Sequence, residues 1–405
     1  MCHYKLTREV KVHSLFVFWC VGPGTLAVSM TVSFSCFQET QVAAATTELM
    51  SPTRRDYQRG IKENLGGELS SKVLSYQNKP PGSRDSLTSL KILYRPAGKK
   101  FARHIPQSPE RLLDAPDILD DDYLSLVDWS CNNHVAVALG ATVHLWNAAT
   151  GEIQQVYQLE GQDNYVASVK WAEEGRYLAL GTNTGNIVVW DVEQSKVSRC
   201  LQGLDSRVAS LSWNKWLLAG GSRSGEIQQS DTRMADHVVA ACRGHSQEVC
   251  GLAWSSDGKY LASGGNDNIL NIWASQQQGL HTGPSPLHSL TSHMAAVKAV
   301  AWCPWQSNIL ASGGGTIKIW NINTNNGQML STTHTQSQVS SLLWAREYRE
   351  LVSSHGYDRN EILIWKYPTM ERTAELTGHT ERVLHLCLSP DGSTLLSAGA
   401  DETLR

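Results

Sequence analysis

No two of the nine cysteines form a C-x-x-C pair, and the chain carries no N-x-S/T sequon. The cysteines sit at 2, 20, 36, 131, 200, 242, 250, 303 and 387, an odd number. That pattern argues against a zinc ribbon, a thioredoxin-like motif and a disulfide framework, and a reducing compartment fits best. Charge is also sparse: 18% charged residues and a net charge of −3 exclude a chain that binds nucleic acid through bulk positive charge. There is no phosphate-binding G-x-x-x-x-G-K-[ST] loop, no G-x-G-x-x-G, no H-E-x-x-H and no calcium loop. The run Gly220 to Gly225 has Arg223 where a nucleophile elbow needs serine. The 14 histidines are spread along the chain. Nothing nominates a nucleophile, an acid–base pair, a metal site or a cofactor, so an enzyme is not expected.

Long apolar runs are equally scarce. Residues 12–38 lack Asp, Glu, Lys and Arg and follow Lys5, Arg8 and Lys11, which resembles a signal peptide or a weak anchor. Gly22-Pro23-Gly24 interrupts the run, so residues 1–38 read as an atypical leader, with secretion as the lesser alternative and no membrane partner expected. Charge is unevenly placed. Residues 54–111 hold 13 Lys/Arg against 5 Asp/Glu, and residues 112–405 carry −11. Residues 39–105, broken by Pro80-Pro81, Gly82 and Pro96, read as a disordered tail carrying short linear motifs.

What the chain has in excess is tryptophan: 14 Trp against 5 Phe. Six fall at 129, 171, 213, 254, 302 and 344, spaced by 41 to 48 residues, and one more step of 42 lands on Leu386. A second ladder runs through Trp146, Trp190, Trp273, Trp320 and Trp365, with its missing rung near Asp231. Between rungs lie short alternating segments such as Tyr165–Trp171, closed by turns at Asp257-Gly258 and Asp391-Gly392 that supply the positive φ of tight hairpins. A period of 40–45 residues with four strands, a Gly-His pair (244–245, 378–379) and a Trp is the WD40 blade signature. The expectation is an all-β, seven-bladed propeller over residues 106–405, in which the Trp residues are core. Its last blade ends early at Leu404-Arg405, so its third strand should be frayed, with residues 111–115 as the strand that closes the ring.

The blade sequences are more specific than this. Leu113-Asp-Ala-Pro116, Gly264-Gly-Asn-Asp-Asn268, Gly313-Gly-Gly-Thr316, Ile364-Trp-Lys-Tyr-Pro368 and Ala400-Asp-Glu-Thr-Leu404 together resemble the fizzy family of cell-division-cycle proteins, co-activators of the anaphase-promoting complex. The resemblance, over about residues 72–405, implies a receptor for destruction-box and KEN-box degrons. Its partners would be subunits of that ubiquitin ligase, substrates such as cyclins and securin, and spindle-checkpoint proteins. It would act in the cytoplasm and nucleus and on the spindle. By motif match, Asp114 and Glu402 would hold a destruction-box arginine. Asp121, Asn266, Asn268, Thr316, Gln338 and Arg382 would hold a KEN box, whose cation, anion and amide they complement. Lys72, Val73, Leu74, Tyr76 and Pro80 resemble the segment clamped by the checkpoint protein and mark the mitotic subclass. Lys62-Glu-Asn64 is itself a KEN tripeptide.

Three departures are visible. The family's ligase-docking C-box and its Ile-Arg tail are not found, and the hairpin between Thr316 and Ile317 lacks a few residues. A WD40 scaffold or decoy that binds degrons without docking on the ligase is therefore the alternative.

Overall fold

The structure, a computed structural model, describes residues 103–275, 285–324, 327–357 and 359–405. They form seven four-stranded antiparallel sheets. Six are continuous in sequence, at 127–158, 166–201, 208–243, 249–290, 299–334 and 339–376. These are blades one to six.

Burial within each blade follows from its place in the ring. The second strand of blade two, Tyr177–Thr182, is apolar or small throughout, and Leu178, Ala179 and Leu180 are fully buried. A strand covered on both faces by neighbouring blades has no solvent side, so its pattern is continuous rather than alternating. The fourth strand, Lys196–Leu201, lies on the rim and is polar and mostly exposed. The Asp-Gly turns behave as expected: Gly258 and Gly392 take φ of 68° and 69°, a region that costs a Cβ-bearing residue.

The two Trp ladders have different tasks. In the first, three indoles reach into the preceding blade, with Trp213 donating to the Lys170 carbonyl (3.1 Å), Trp302 to Ala253 (2.9 Å) and Trp344 to Ala301 (3.0 Å), whereas Trp129 donates to Asn133 of its own blade (3.0 Å). In the second, the indole stays inside its own blade. Trp273, Trp320 and Trp365 each donate to a buried serine, Ser263, Ser312 and Ser353, at 2.8 Å. Register places the missing rung at Ser230, one residue before Asp231: Ser230 pairs Leu218 as Trp273 pairs Leu261. There Gln228 and His237 hydrogen-bond the Ser230 hydroxyl instead of an indole.

The seventh blade is built from both ends of the described chain. Its order is Val383–Leu388, Leu395–Gly399, Thr403–Leu404 and then Leu113–Asp114. Closure by residues 111–115 is as expected. Two details differ. The position equivalent to the first Trp ladder is Leu388, not Leu386, because Leu388 pairs Leu395 as Trp254 pairs Leu261. The step from Trp344 to Leu388 is two residues longer than the one counted. The third strand is also held on both sides. It has two residues, yet Leu113 and Asp114 pair it on one side. On the other side Ser397 and Arg405 exchange two backbone bonds of 2.8 Å, and Leu404 is buried. Paired on both edges, it exposes no ladder groups to water.

Candidate functional site

Residues 116–124 leave the closing strand and pass over the mouth of the ring. Within them Asp120, Asp121 and Asp122 meet two arginines from distant blades. Arg207 precedes blade three's first strand. It grips Glu248 through Nε (2.6 Å) and Nη2 (2.7 Å) and donates to Asp121 through Nη1 (2.8 Å). Arg382 precedes the first strand of blade seven. Its Nε donates to Asp120 (2.5 Å), while Nη1 donates to Asp122 (2.8 Å) and to the Tyr357 hydroxyl (2.9 Å). A cavity of about 280 Å³ lies here, lined by Asp120, Asp121, Asp122, Tyr123, Gln338, Tyr357 and Arg382.

Three residues expected to bind a KEN box, Asp121, Gln338 and Arg382, therefore share one pocket although they are more than 200 residues apart at the extremes. Asn266 does not line the cavity but is tied to its wall: the Tyr123 hydroxyl donates to Asn266 Oδ1 (2.8 Å), and the Asn266 amide donates to Gln247 (2.8 Å). Asn268 and Thr316 do not line this cavity. Asn268 fills a left-handed turn position (φ 64°) that asparagine tolerates well, and its N–H closes the turn onto Gly265. Thr316 opens the third strand of blade five, opposite His334.

Sequence reasoning missed Asp120, Asp122, Tyr123 and Tyr357 on the wall, and Arg207 and Glu248 behind it. The Asp120-Asp121-Asp122 run was a legible signal. The Arg207–Glu248 pair was not, since no local pattern links two loops on neighbouring blades.

The pocket is electrostatically set from below. Lys298 is buried, and its ammonium donates to the Leu384 carbonyl (3.0 Å). Burial lowers its pKa to about 8, against the opposing pull of Asp122 and Asp121. Burial works against the charge on Arg382 as well, but its bonds to Asp120 and Asp122 more than offset this, and its pKa is raised. The same balance, with Glu248 as the main partner, raises that of Arg207. Burial pushes the Cys250 thiol up to about 12, which leaves it unreactive. Among the described residues no group of three or more His, Cys, Asp or Glu is arranged to hold a metal.

The pair expected to hold a destruction-box arginine lies at the ring's seam. Asp114 pairs Thr403 in register, and the Ala115 N–H donates to the Glu402 carbonyl (2.7 Å), so the two carboxylate residues are backbone neighbours. Both are exposed. Glu402 has φ 55°. Its hairpin position matches that of Asn268, following Asp401 as Asn268 follows Asp267. A glutamate there costs about 1 kcal/mol relative to a residue suited to it, strain of the kind found at binding sites. A larger groove of about 770 Å³, walled by Trp129, Trp146, Leu388 and Leu395, contains none of the expected degron residues. Lys72, Val73, Leu74, Tyr76 and Pro80 lie outside the described residues.

Repeated blades with a His, Ser and Trp hydrogen-bonded in their cores define a WD40 propeller. Residues 113–405 match the CDC20/Fizzy WD40 domain. The chain belongs to the CDC20/Fizzy family. It is 52% identical over 359 residues to the anaphase-promoting complex subunit cdc20 of Dictyostelium discoideum, covering 85% of this chain and 71% of that one. It is 44% identical over 368 residues to cell division cycle 20.1, cofactor of APC complex, of Arabidopsis thaliana, covering 89% and 80%. A solved structure described as the mitotic checkpoint complex contains a chain 42% identical, with a TM-score of 0.71, over 83% of this chain and 98% of that chain.

Proposed function

We propose that this protein is a substrate-recognition co-activator of the anaphase-promoting complex, a non-catalytic receptor for destruction-box and KEN-box degrons that is itself held by the spindle checkpoint. The observation that carries the reading is the sustained identity, 44–52% over more than four-fifths of the chain, to proteins named as APC subunit or cofactor. The geometry supports it with two separate acceptor sites. One is the pocket around Arg382. The other is the exposed Asp114 and Glu402 pair, which suits an arginine. Such a receptor would act where mitotic substrates are, in the cytoplasm, nucleus and spindle.

Co-purification with ligase subunits tests the co-activator role, and peptide titration tests the sites. Asp114→Ala should weaken a destruction-box peptide by about tenfold, roughly 1.4 kcal/mol, and leave a KEN peptide unchanged. Added salt should weaken the first contact, because both carboxylates are exposed. Equal loss for both peptides would mean that Asp114 only closes the ring. Degron binding without recovery of any ligase subunit would favour the scaffold alternative.

A further inference from the structure

The two arginines that hold the acidic strap are not equivalent. Arg207 and Glu248 are 13% and 7% exposed in their side chains, and they meet through two parallel bonds. Asp121 completes this group. Its Oδ2 accepts from Arg207 and its Oδ1 from the Tyr123 N–H, so both oxygens are engaged. Removing one member of a buried pair strands the other charge away from water, which is costly. The other end of the strap is different. Asp120 is 59% exposed where it meets Arg382, and an exposed ion pair contributes little and exchanges readily.

Arg382 is nevertheless occupied. Its Nε donates to the Asp120 carboxylate and its Nη2 to the Asp120 carbonyl (2.8 Å), while Nη1 serves Asp122 and Tyr357. The Nε–Nη edge is the one that presents two parallel N–H groups to a carboxylate. A ligand glutamate approaching Arg382 meets that edge already taken. We propose that Asp120 is an internal competitor for Arg382: it occupies the guanidinium edge in the free protein and yields it to the carboxylate of an incoming ligand, while Arg207 keeps Asp121 and the rest of the strap in place. This rests on the KEN-box reading of the pocket and adds a residue that sets its affinity. The exchange keeps Arg382 paired in both states, so the free protein never leaves a half-buried guanidinium without a counter-charge. Its consequence is a ceiling on affinity: every ligand carboxylate must first displace Asp120.

The test titrates a peptide containing Lys-Glu-Asn, and the same peptide with Lys-Gln-Asn, against the full chain and its Asp120→Asn variant. Asp120→Asn should bind the Lys-Glu-Asn peptide about threefold tighter, the scale of an exposed ion pair, and should gain nothing for Lys-Gln-Asn. A weaker or unchanged Lys-Glu-Asn affinity, or an equal gain for both peptides, overturns the proposal. A second readout does not depend on the degron. Titrating acetate while following the Arg382 Nε–H by NMR should move that signal at lower acetate concentration in Asp120→Asn than in the unaltered chain, and identical titrations would sink the idea. Failure of both peptides to bind either protein, with the acetate difference intact, would reject the degron reading and keep the competition.

Discussion

Blades four and five carry the same buried hydrogen-bond core, with one member changed. In blade four His245 sits between Asp267 (3.0 Å) and Ser263 (2.7 Å), and Trp273 closes the chain on the same serine (2.8 Å). In blade five His293, Ser312 and Trp320 repeat these contacts at 2.7 and 2.8 Å, but among the described residues no aspartate faces His293, and its buried Nδ1 has no partner. The hairpin explains the loss. Blade four places residues 265–269 between its paired strand ends, and blade five only 314–316. The two missing residues include the turn position that would hold the carboxylate. Chain length in a surface hairpin has thus decided whether a core histidine is satisfied.

The proton is where this difference should be largest. Burial lowers the pKa of His293 to about 4, and that of His355 in blade six to about 4 as well. A histidine whose folded pKa lies below its unfolded value of about 6.5 takes up its proton first in the unfolded chain. Its contribution is complete above pH ~6.5 and is lost as pH falls toward ~4, at about 1.4 kcal/mol per unit, or roughly 3 kcal/mol for each histidine over the window. The carboxylate of blade four behaves otherwise. Burial would raise Asp267, but the His245 bond prevails and holds it below the ordinary value, so its contribution is lost only at lower pH. Urea unfolding followed from pH 7 to 4 should show the loss, and His293→Leu should flatten it by one proton's share. An unchanged slope would mean that His293 is not the group titrating.

Next in size are the serines. Ser263→Ala strands the Trp273 N–H and leaves the His245 Nε2 with only the longer Asn271 amide contact (3.3 Å), and should cost about 2–4 kcal/mol by urea unfolding. Ser312→Ala should cost less, because the blade-five network already lacks its aspartate and is less cooperative. Equal costs would show that the aspartate acts alone and would break the comparison. Asp267→Ala, which turns blade four into a copy of blade five, should cost about 1–2 kcal/mol. The smallest effect is the converse. Lengthening the 314–316 turn by two residues to the blade-four pattern, with an aspartate facing His293, should gain about 1 kcal/mol and raise the melting temperature.

Blades four and seven offer a second contrast, at the turn that holds Asn268 in one and Glu402 in the other. Glu402→Asn should stabilise the fold by about 0.5–1 kcal/mol while weakening a destruction-box peptide. A mutation that stabilises and disables together would locate Glu402 in binding. Loss of both properties would make it structural.

How much of this was legible depends on how local the signal was. Blade number, strand order and the Asp-Gly turns were readable because a Trp every 41–48 residues reports a local unit repeated in space. Counting alone misplaced one inner-strand position, choosing Leu386 over Leu388, because the interval from Trp344 is two residues longer than the preceding one while pairing register is kept. Of the pocket, Asp121, Gln338 and Arg382 were legible through motif resemblance. Asp120 and Arg207 were not, because their roles depend on which loop faces which across the mouth of the ring. Asn268 carried the right motif and stands at a turn, away from the pocket cavity.

The amino-acid sequence by itself determined seven apolar units, six of them punctuated by Trp, their family, and the closing strand at Leu113–Asp114, because each is written in a repeat or in contiguous residues. Only the tertiary structure decided which charges are spoken for. Arg382 meets Asp120 and Asp122, 262 and 260 residues away, while Arg207 divides itself between Glu248 and Asp121. The physical reason is that hydrophobic periodicity is a property of neighbours along the chain, whereas an ion pair forms between whichever loops ring closure brings within about 3 Å.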